Sequence, residues 1–63
     1  MTEAHEIANA LLLSYTAWLS ASPILRNNTM DCARYFVKSD PILRTESPQH
    51  IDNIARALRD LAA

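Results

Sequence analysis

The stretch SPQHIDNIARALRDL, residues 47–61, carries the strongest helical pattern in the chain. Ser47 is a good N-cap, and Pro48 fits the first helical position, where no backbone N–H is needed. One side of the helix is apolar, while the other carries acids and arginines at four-residue spacing. The apolar positions are Ile51, Ile54, Ala55, Leu58, Leu61 and Ala62. The stretch therefore predicts an amphipathic helix over about 48–62 that buries one face in a core.

Two further helices are expected before it. Thr2 is a candidate N-cap for a helix over about 2–20, and Thr29 or Asn28 can cap a shorter helix over about 29–38. The chain has three prolines and no glycine, which favours helices joined by proline-marked turns over β-hairpins. We therefore predict an all-α fold, a small three-helix domain that takes up residues 1–63 as a single unit.

The first predicted helix is apolar on two sides. One broad stripe recurs at helical spacing and comprises Ile7, Ala8, Leu11, Leu12, Tyr15, Trp18 and Leu19. Ala10, Leu13 and Ala17 extend apolar character onto a second face. A helix that is apolar nearly all round is usually buried on more than one side, and in so short a chain the second side implies another chain.

The small size of the chain also favours association with a second chain. A domain of 63 residues buries only about 60% of the surface that its unfolded chain exposes. Burial contributes on the order of 90 kcal/mol, and ordering the chain costs about the same. Cys32 is the only cysteine, so no disulfide can form within the chain. We therefore expect stabilisation by a protein partner or by homo-oligomerisation, as a dimer formed through the first helix.

A five-residue pattern occurs twice, as SPILR at 22–26 and as DPILR at 40–44. In the favoured interpretation each copy marks the entry of a helix, with Ser22 or Asp40 as the cap and the aliphatic pairs covering the ends of the core. In the alternative, the pairs are exposed hooks for one partner. Ile24, Leu25, Ile42 and Leu43 are the aliphatic residues in question.

Charge and hydropathy limit the classes of partner. The formal net charge of −1 gives no electrostatic signature for nucleic acid or for an anionic membrane. The uncharged run 7–25 contains polar residues and Pro23, and acids precede it where a signal peptide would carry basic residues. We therefore expect no membrane segment. The single cysteine suits a reducing compartment, so the expected location is the cytoplasm.

Two groups of side chains resemble parts of chemical sites. His5 and Glu6 begin HEIAN, but a helical zinc site needs a second histidine where Asn9 stands. Cys32 and His50 could form a thiolate–imidazolium pair, although no third orienting residue or oxyanion donor accompanies them. We therefore expect no metal, no cofactor and no enzymatic activity, and we keep a Cys32–His50 enzyme only as a second alternative.

A DNA-binding regulator of the helix-turn-helix type is the first alternative. Arg34, Lys38 and Arg44 could contact phosphates. The segment between Lys38 and Pro48 is longer than the three- or four-residue turn of that motif, and the last helix carries acids beside its arginines. Both features disfavour nucleic acid as a partner.

The sequence favours a small non-catalytic module that binds a larger protein and regulates it as an inhibitor, adaptor or anti-repressor. Preference for arginine over lysine would suit a bacterial or bacteriophage genome. The residues predicted to make the contact are aromatic or aliphatic: Leu12, Tyr15, Trp18, Leu19, Ile24, Leu25, Ile42 and Leu43.

Overall fold

The computed structural model describes residues 2–63 and is all-helical, as predicted. Its elements are α1 (Glu3–Ala21), α2 (Met30–Lys38), a short 3₁₀ helix (Leu43–Thr45) and α3 (Pro48–Ala62). The part of the chain that the structure describes contains no strand. The three α-helices pack into one compact unit, so the prediction of an all-α, three-helix fold is confirmed, with bounds that differ by at most one residue.

The three α-helices begin in the same way. A hydroxyl side chain at each N-cap accepts a hydrogen bond from the backbone N–H three residues later, at 3.2 Å in every case. The caps are Thr2, Thr29 and Ser47. Between the two candidates for α2, Thr29 is therefore the cap. Such caps typically stabilise a helix by about 1 kcal/mol, because they satisfy N–H groups that have no partner within the helix.

α3 is the central helix, since it packs against both α1 and α2. Four of its apolar side chains are buried in the core, where buried side chains of α1 and α2 pack against them. The core comprises Ala8, Tyr15, Ala33, Val37, Ile51, Ile54, Ala55 and Leu58. The predicted apolar face of the last helix is thus the one that the structure buries.

α1 and α2 contact each other mainly through aromatic rings. Tyr15 and Trp18 of α1 each lie against Phe36 of α2, with ring centroids 5.3 Å apart in both pairs. Both pairs are tilted, at 60° and 53°, which is a favoured geometry for aromatic contacts. The four-ring cluster is completed by Tyr35, which stacks on Trp18.

The helices end without glycine. No described residue has a positive φ, so the left-handed C-cap that glycine usually provides is not used in residues 2–63. Side chains take its place. Arg26 Nη1 donates to the carbonyl of Trp18 in the last turn of α1, and Asn28 Nδ2 donates to the carbonyl of Arg59 in the last turn of α3. The loop between α1 and α2 thereby donates a hydrogen bond to one carbonyl in the last turn of each of two helices, α1 and α3.

The repeated pentapeptides fold into the same single turn. The N–H of Arg26 donates to the carbonyl of Ser22 at 2.8 Å, and that of Arg44 donates to the carbonyl of Asp40 at 2.9 Å. The second turn continues into the 3₁₀ helix, with Asp40 Oδ1 accepting from the N–H groups of Ile42 and Leu43. The repeat therefore marks local turns. The predicted helix entry is wrong for both copies, since no α-helix starts at either one and only the 3₁₀ helix follows Asp40.

The aliphatic residues of the repeat do not cover the core as predicted. Ile24, Leu25 and Ile42 are 96%, 83% and 77% exposed, and only Leu43 packs against the core. A one-turn segment is too short to bring two successive aliphatics onto the face that meets the core. That part of the favoured interpretation is wrong for three of the four residues.

Among the helices of the described residues, none is both long enough and apolar enough to cross a membrane.

Candidate protein-interaction surface

The α1 residues predicted to meet a partner lie on the inner side of the helix. Tyr15 is fully buried, so its assignment is corrected from the interface to the core. Leu12, Trp18 and Leu19 are half-buried and pack against that core. These residues face inward because of their position around the helix axis. Ala8 and Tyr15 lie two turns apart on the same side of α1, and this side packs against the other helices.

The opposite side of α1 is an uncovered apolar surface. Ala10, Leu13 and Ala17 recur at spacings of three and four residues and are all exposed, with Leu13 at 84%. We call these three residues the outer α1 face. No charged residue occurs between Glu6 and Arg26, so the face is bordered by charge only near the ends of the helix. The second apolar face that the sequence predicts is therefore present and has no cover within the described chain.

A second uncovered surface follows directly after α1. The segment 22–26, which we call the apolar turn, presents Ile24 and Leu25 almost entirely to solvent. Its backbone is closed by two hydrogen bonds, since the N–H groups of Leu25 and Arg26 both donate to the carbonyl of Ser22. The Arg26 guanidinium lies 4.3 Å from the centroid of the Trp18 ring and donates to the Trp18 carbonyl at 2.8 Å. The backbone hydrogen bonds thus close the turn, and the Arg26 side chain holds it to α1.

We expect Arg26→Met to lower the free energy of unfolding by about 1 kcal/mol. The substitution keeps most of the apolar stem but removes the hydrogen bond to the Trp18 carbonyl and the cation–π contact. It also removes positive charge from the end of α1, which has no basic residue in its last turn. Urea unfolding followed by circular dichroism measures the change.

Arg44→Met is the matched control, because Arg44 occupies the same position in the second pentapeptide and is exposed. Its expected change is within about 0.5 kcal/mol, as for other exposed sites. Equal losses in the two variants would contradict the role assigned to Arg26.

A shallow groove of about 320 Å³ continues the apolar turn toward α2. Trp18 and Tyr35 stack at its side, with centroids 5.9 Å apart and ring planes 19° from parallel. Tyr35 is 64% exposed, so the tyrosine left with accessible aromatic surface is this one and not Tyr15. The lining comprises Trp18, Leu25, Arg26, Asp31, Cys32 and Tyr35. The accessible apolar surface therefore runs from Ile24 through Leu25 to Tyr35.

The residues predicted to contact phosphates are only partly available. Arg34 donates to Asp52 at 2.8 Å and to Asp31 at 3.3 Å, so α2 is tied to α3 by an ion pair. The hydrogen bond from Arg34 lowers the pKa of Asp52, and the hydrogen bond to Asp52 raises the pKa of Arg34. Lys38 and Arg44 are exposed. Two carboxylates thus neutralise the first of the three proposed phosphate contacts.

The linker between α2 and α3 also departs from the helix-turn-helix motif. It runs over 39–47 and contains its own 3₁₀ helix, whereas the motif joins its helices by three or four residues. Neither the pairing of Arg34 with carboxylates nor the length of this linker favours a nucleic-acid surface.

Cys32 and His50 lie in different environments. Cys32 lines the groove beside Trp18, where its Sγ is 3.9 Å from Asn27 Oδ1. His50 lines a separate cleft near the start of α1, and its Nδ1 is 3.7 Å from Glu46 Oε1. The structure therefore does not bring them into one site. Residues 2–63 contain no cluster of three potential metal-ligating side chains.

A partly buried polar link between distant segments has no counterpart in the sequence predictions. The Tyr15 hydroxyl donates to Asn28 Oδ1 at 2.8 Å, and Asn28 Nδ2 donates to the Arg59 carbonyl at 2.9 Å. Burial raises the pKa of Tyr15, so the hydroxyl keeps its proton throughout the neutral range. The amide thereby joins α1, the loop and α3, and it fixes the position of the loop that carries the apolar turn.

No protein-family model, curated protein or solved structure matches the chain. Its function is therefore inferred from the geometry of its own surfaces.

Proposed function

We propose that the protein is a small non-catalytic interaction module that binds a larger protein through the apolar turn and regulates it. The observation that carries this proposal is the exposure of Ile24 and Leu25 on a turn that is held in place by Arg26. Adjacent aliphatic side chains exposed to this extent on a fixed backbone are typical of a contact surface rather than of a folding requirement.

The hydrogen bonds that close the turn support the proposal energetically. Binding costs free energy when loops and side chains must be ordered, and a turn already closed by hydrogen bonds avoids part of that cost. Burying one large aliphatic side chain contributes about 1.5–3 kcal/mol. Ile24 and Leu25 can therefore supply a substantial share of the affinity for an apolar pocket, and the exposed ring of Tyr35 extends the contact. Regulation would follow if the turn occupies a site that the partner needs for another ligand.

Self-association through α1 is the second part of the proposal. The outer α1 face, and not the inner residues Leu12, Tyr15, Trp18 and Leu19, is the side of the helix that is free to meet a second copy. Its exposed Leu13 and the two flanking alanines support this assignment. Ile42, which is exposed on the second turn, remains a candidate for a subsidiary contact.

The double variant Ile24→Ser/Leu25→Ser tests the proposed partner surface. Because both side chains are exposed, we expect its free energy of unfolding to stay within about 0.5 kcal/mol of the wild-type value. Proteins captured by the immobilised wild-type chain from cells that encode it would be identified by mass spectrometry. Their affinity for both forms would then be measured by calorimetry, with an expected loss of at least about tenfold for the variant.

Gln49→Ser is the control for nonspecific effects, since it changes an exposed polar side chain on α3. Ile42→Ser shows whether the second turn adds to the same contact. If the double variant binds a captured partner as tightly as the wild type does, the apolar turn is not the binding surface.

A further inference from the structure

We infer that the partner surface which covers the apolar turn carries a carboxylate beside its apolar side chains, and that this carboxylate pairs with Arg26. The inference rests on the proposed function and names the chemistry of the partner, an aspartate or glutamate next to large apolar residues. Two observations support it: the position of Arg26 within the contact surface, and the lack of a carboxylate for Arg26 within residues 2–63.

Arg26 lies inside the proposed contact surface. It directly follows Ile24 and Leu25 in the apolar turn, and its side chain lines the groove together with Leu25, Trp18 and Tyr35. A partner that covers Leu25 and extends into the groove therefore also removes water from the Arg26 guanidinium. Removing water from a charge that has no partner is costly, whereas a charge that is paired and hydrogen-bonded costs much less to cover.

The unpaired charge of the groove is positive. Arg26 lies within ion-pair distance of no carboxylate in residues 2–63, and it is the only half-buried cation in that range without an ion pair. The other cations without one are exposed, namely Lys38, Arg44 and Arg56. Asp31 lines the same groove, but it accepts a hydrogen bond from Arg34 at 3.3 Å. Charge complementarity therefore favours a negative group on the partner over a positive one.

The guanidinium is already placed for such a pair. Its central carbon lies 4.3 Å from the centroid of the Trp18 ring, and Nη1 donates to the Trp18 carbonyl at 2.8 Å. Stacking occupies a face of the guanidinium, whereas its N–H groups lie in its plane. No second acceptor in residues 2–63 bonds to the side chain. A carboxylate can thus bind the remaining N–H groups while Arg26 stays on Trp18, and little side-chain ordering is needed on binding.

Selection from a phage-displayed library of random peptides tests the chemistry of the partner surface. Peptides are selected on the immobilised chain, and those that also bind the Ile24→Ser/Leu25→Ser variant are removed by counter-selection. The remaining peptides depend on the apolar turn. We expect aspartate or glutamate beside a large apolar residue well above its frequency in the unselected library. Enrichment of lysine or arginine, or no enrichment of acids, would overturn the inference.

Calorimetry with one selected acidic peptide assigns the carboxylate to Arg26. Replacing the acid by the corresponding amide should weaken binding to the wild-type chain by about tenfold, as expected for the loss of a charged hydrogen bond. The same replacement should weaken binding to Arg26→Met by less than about twofold, because the partner of the acid is already gone. Equal losses for the wild type and Arg26→Met would show that the acid pairs elsewhere and would overturn the inference.

Two further variants control this comparison. Arg44→Met removes an exposed arginine that does not line the groove, so the tenfold loss of the wild type should be retained. Arg26→Gln removes the charge but keeps an N–H donor for the Trp18 carbonyl, so it should behave like Arg26→Met even if the methionine variant is poorly folded. Circular dichroism establishes that each variant used is folded.

The outcomes separate this inference from the proposed function. Turn-dependent peptides without acids keep the apolar turn as the binding surface and overturn the carboxylate. A selection without any turn-dependent peptide overturns both. Light scattering of the wild type and the double variant across a hundredfold dilution tests a second copy of this chain as the occupant. A wild-type dimer that Ile24→Ser/Leu25→Ser dissociates would place a second copy on the turn and overturn the inference, whereas equal native masses support a different partner.

Discussion

We expect Leu58→Ala to lower the free energy of unfolding by about 2–5 kcal/mol, the range for truncation of a buried leucine. Leu58 is fully buried on α3, the helix that packs against both of the others. A domain of this length has a total stability of roughly 3–9 kcal/mol, so the variant should lose a large part of its folded population. Helical circular dichroism during urea unfolding measures the change.

Leu25→Ala is the matched control, because it makes the same substitution at a leucine that is 83% exposed. Its expected effect on stability is within about 0.5 kcal/mol. Similar losses in the two variants would contradict the burial of Leu58 in the core.

We expect the second large effect from Asn28→Ala, at about 2–3 kcal/mol. This change removes a hydrogen-bond acceptor from the Tyr15 hydroxyl and a donor from the Arg59 carbonyl. Because Tyr15 is buried, leaving its hydroxyl without a partner costs more than the bond itself contributes. The loss is measured by the same urea unfolding.

A double-mutant cycle with Tyr15→Phe isolates the link between the two side chains. Tyr15→Phe alone should cost only about 1 kcal/mol, since the half-buried Asn28 amide can still reach water. Once the hydroxyl is gone, Asn28→Ala should cost less than it does in the wild type. Asn27→Ala is the control, because the neighbouring asparagine is exposed. Strict additivity of the two substitutions would show that the hydrogen bond does not contribute.

Local features were the most predictable part of the fold. Hydroxyl caps at Thr2 and Ser47 depend on a few adjacent residues, and the face of α3 follows from one period of 3.6 residues. The helix bounds and the buried residues of α3 could therefore be predicted from the sequence with little error.

The orientation of α1 could not be predicted in the same way. Leu12 and Leu13 are adjacent and chemically identical, yet one packs against the core and the other is 84% exposed. A helix with apolar residues on two sides has two plausible buried faces, and the choice depends on where the other helices lie. For this reason the contact residues predicted on α1 lie on its buried side: Leu12, Tyr15, Trp18 and Leu19.

Two further features depend on contacts between distant residues. Asn28 and Arg59 are 31 positions apart, and nothing local marks the amide as the partner of that carbonyl. The exposure of Ile24 runs against the general preference of isoleucine for the interior, so hydrophobicity alone assigned it to the core. The alternative interpretation of the repeat, in which Ile24 and Leu25 are exposed hooks, agrees with their exposure in the structure.

The position of Trp18 makes the apolar turn observable without any attached label. Trp18 is the only tryptophan in the chain, and its indole contacts the Arg26 guanidinium and stacks on Tyr35. The same indole lines the groove together with Leu25. Tryptophan fluorescence of the unmodified protein therefore comes from a single site beside the turn. Its emission maximum and its quenching by iodide should change when a partner covers that site.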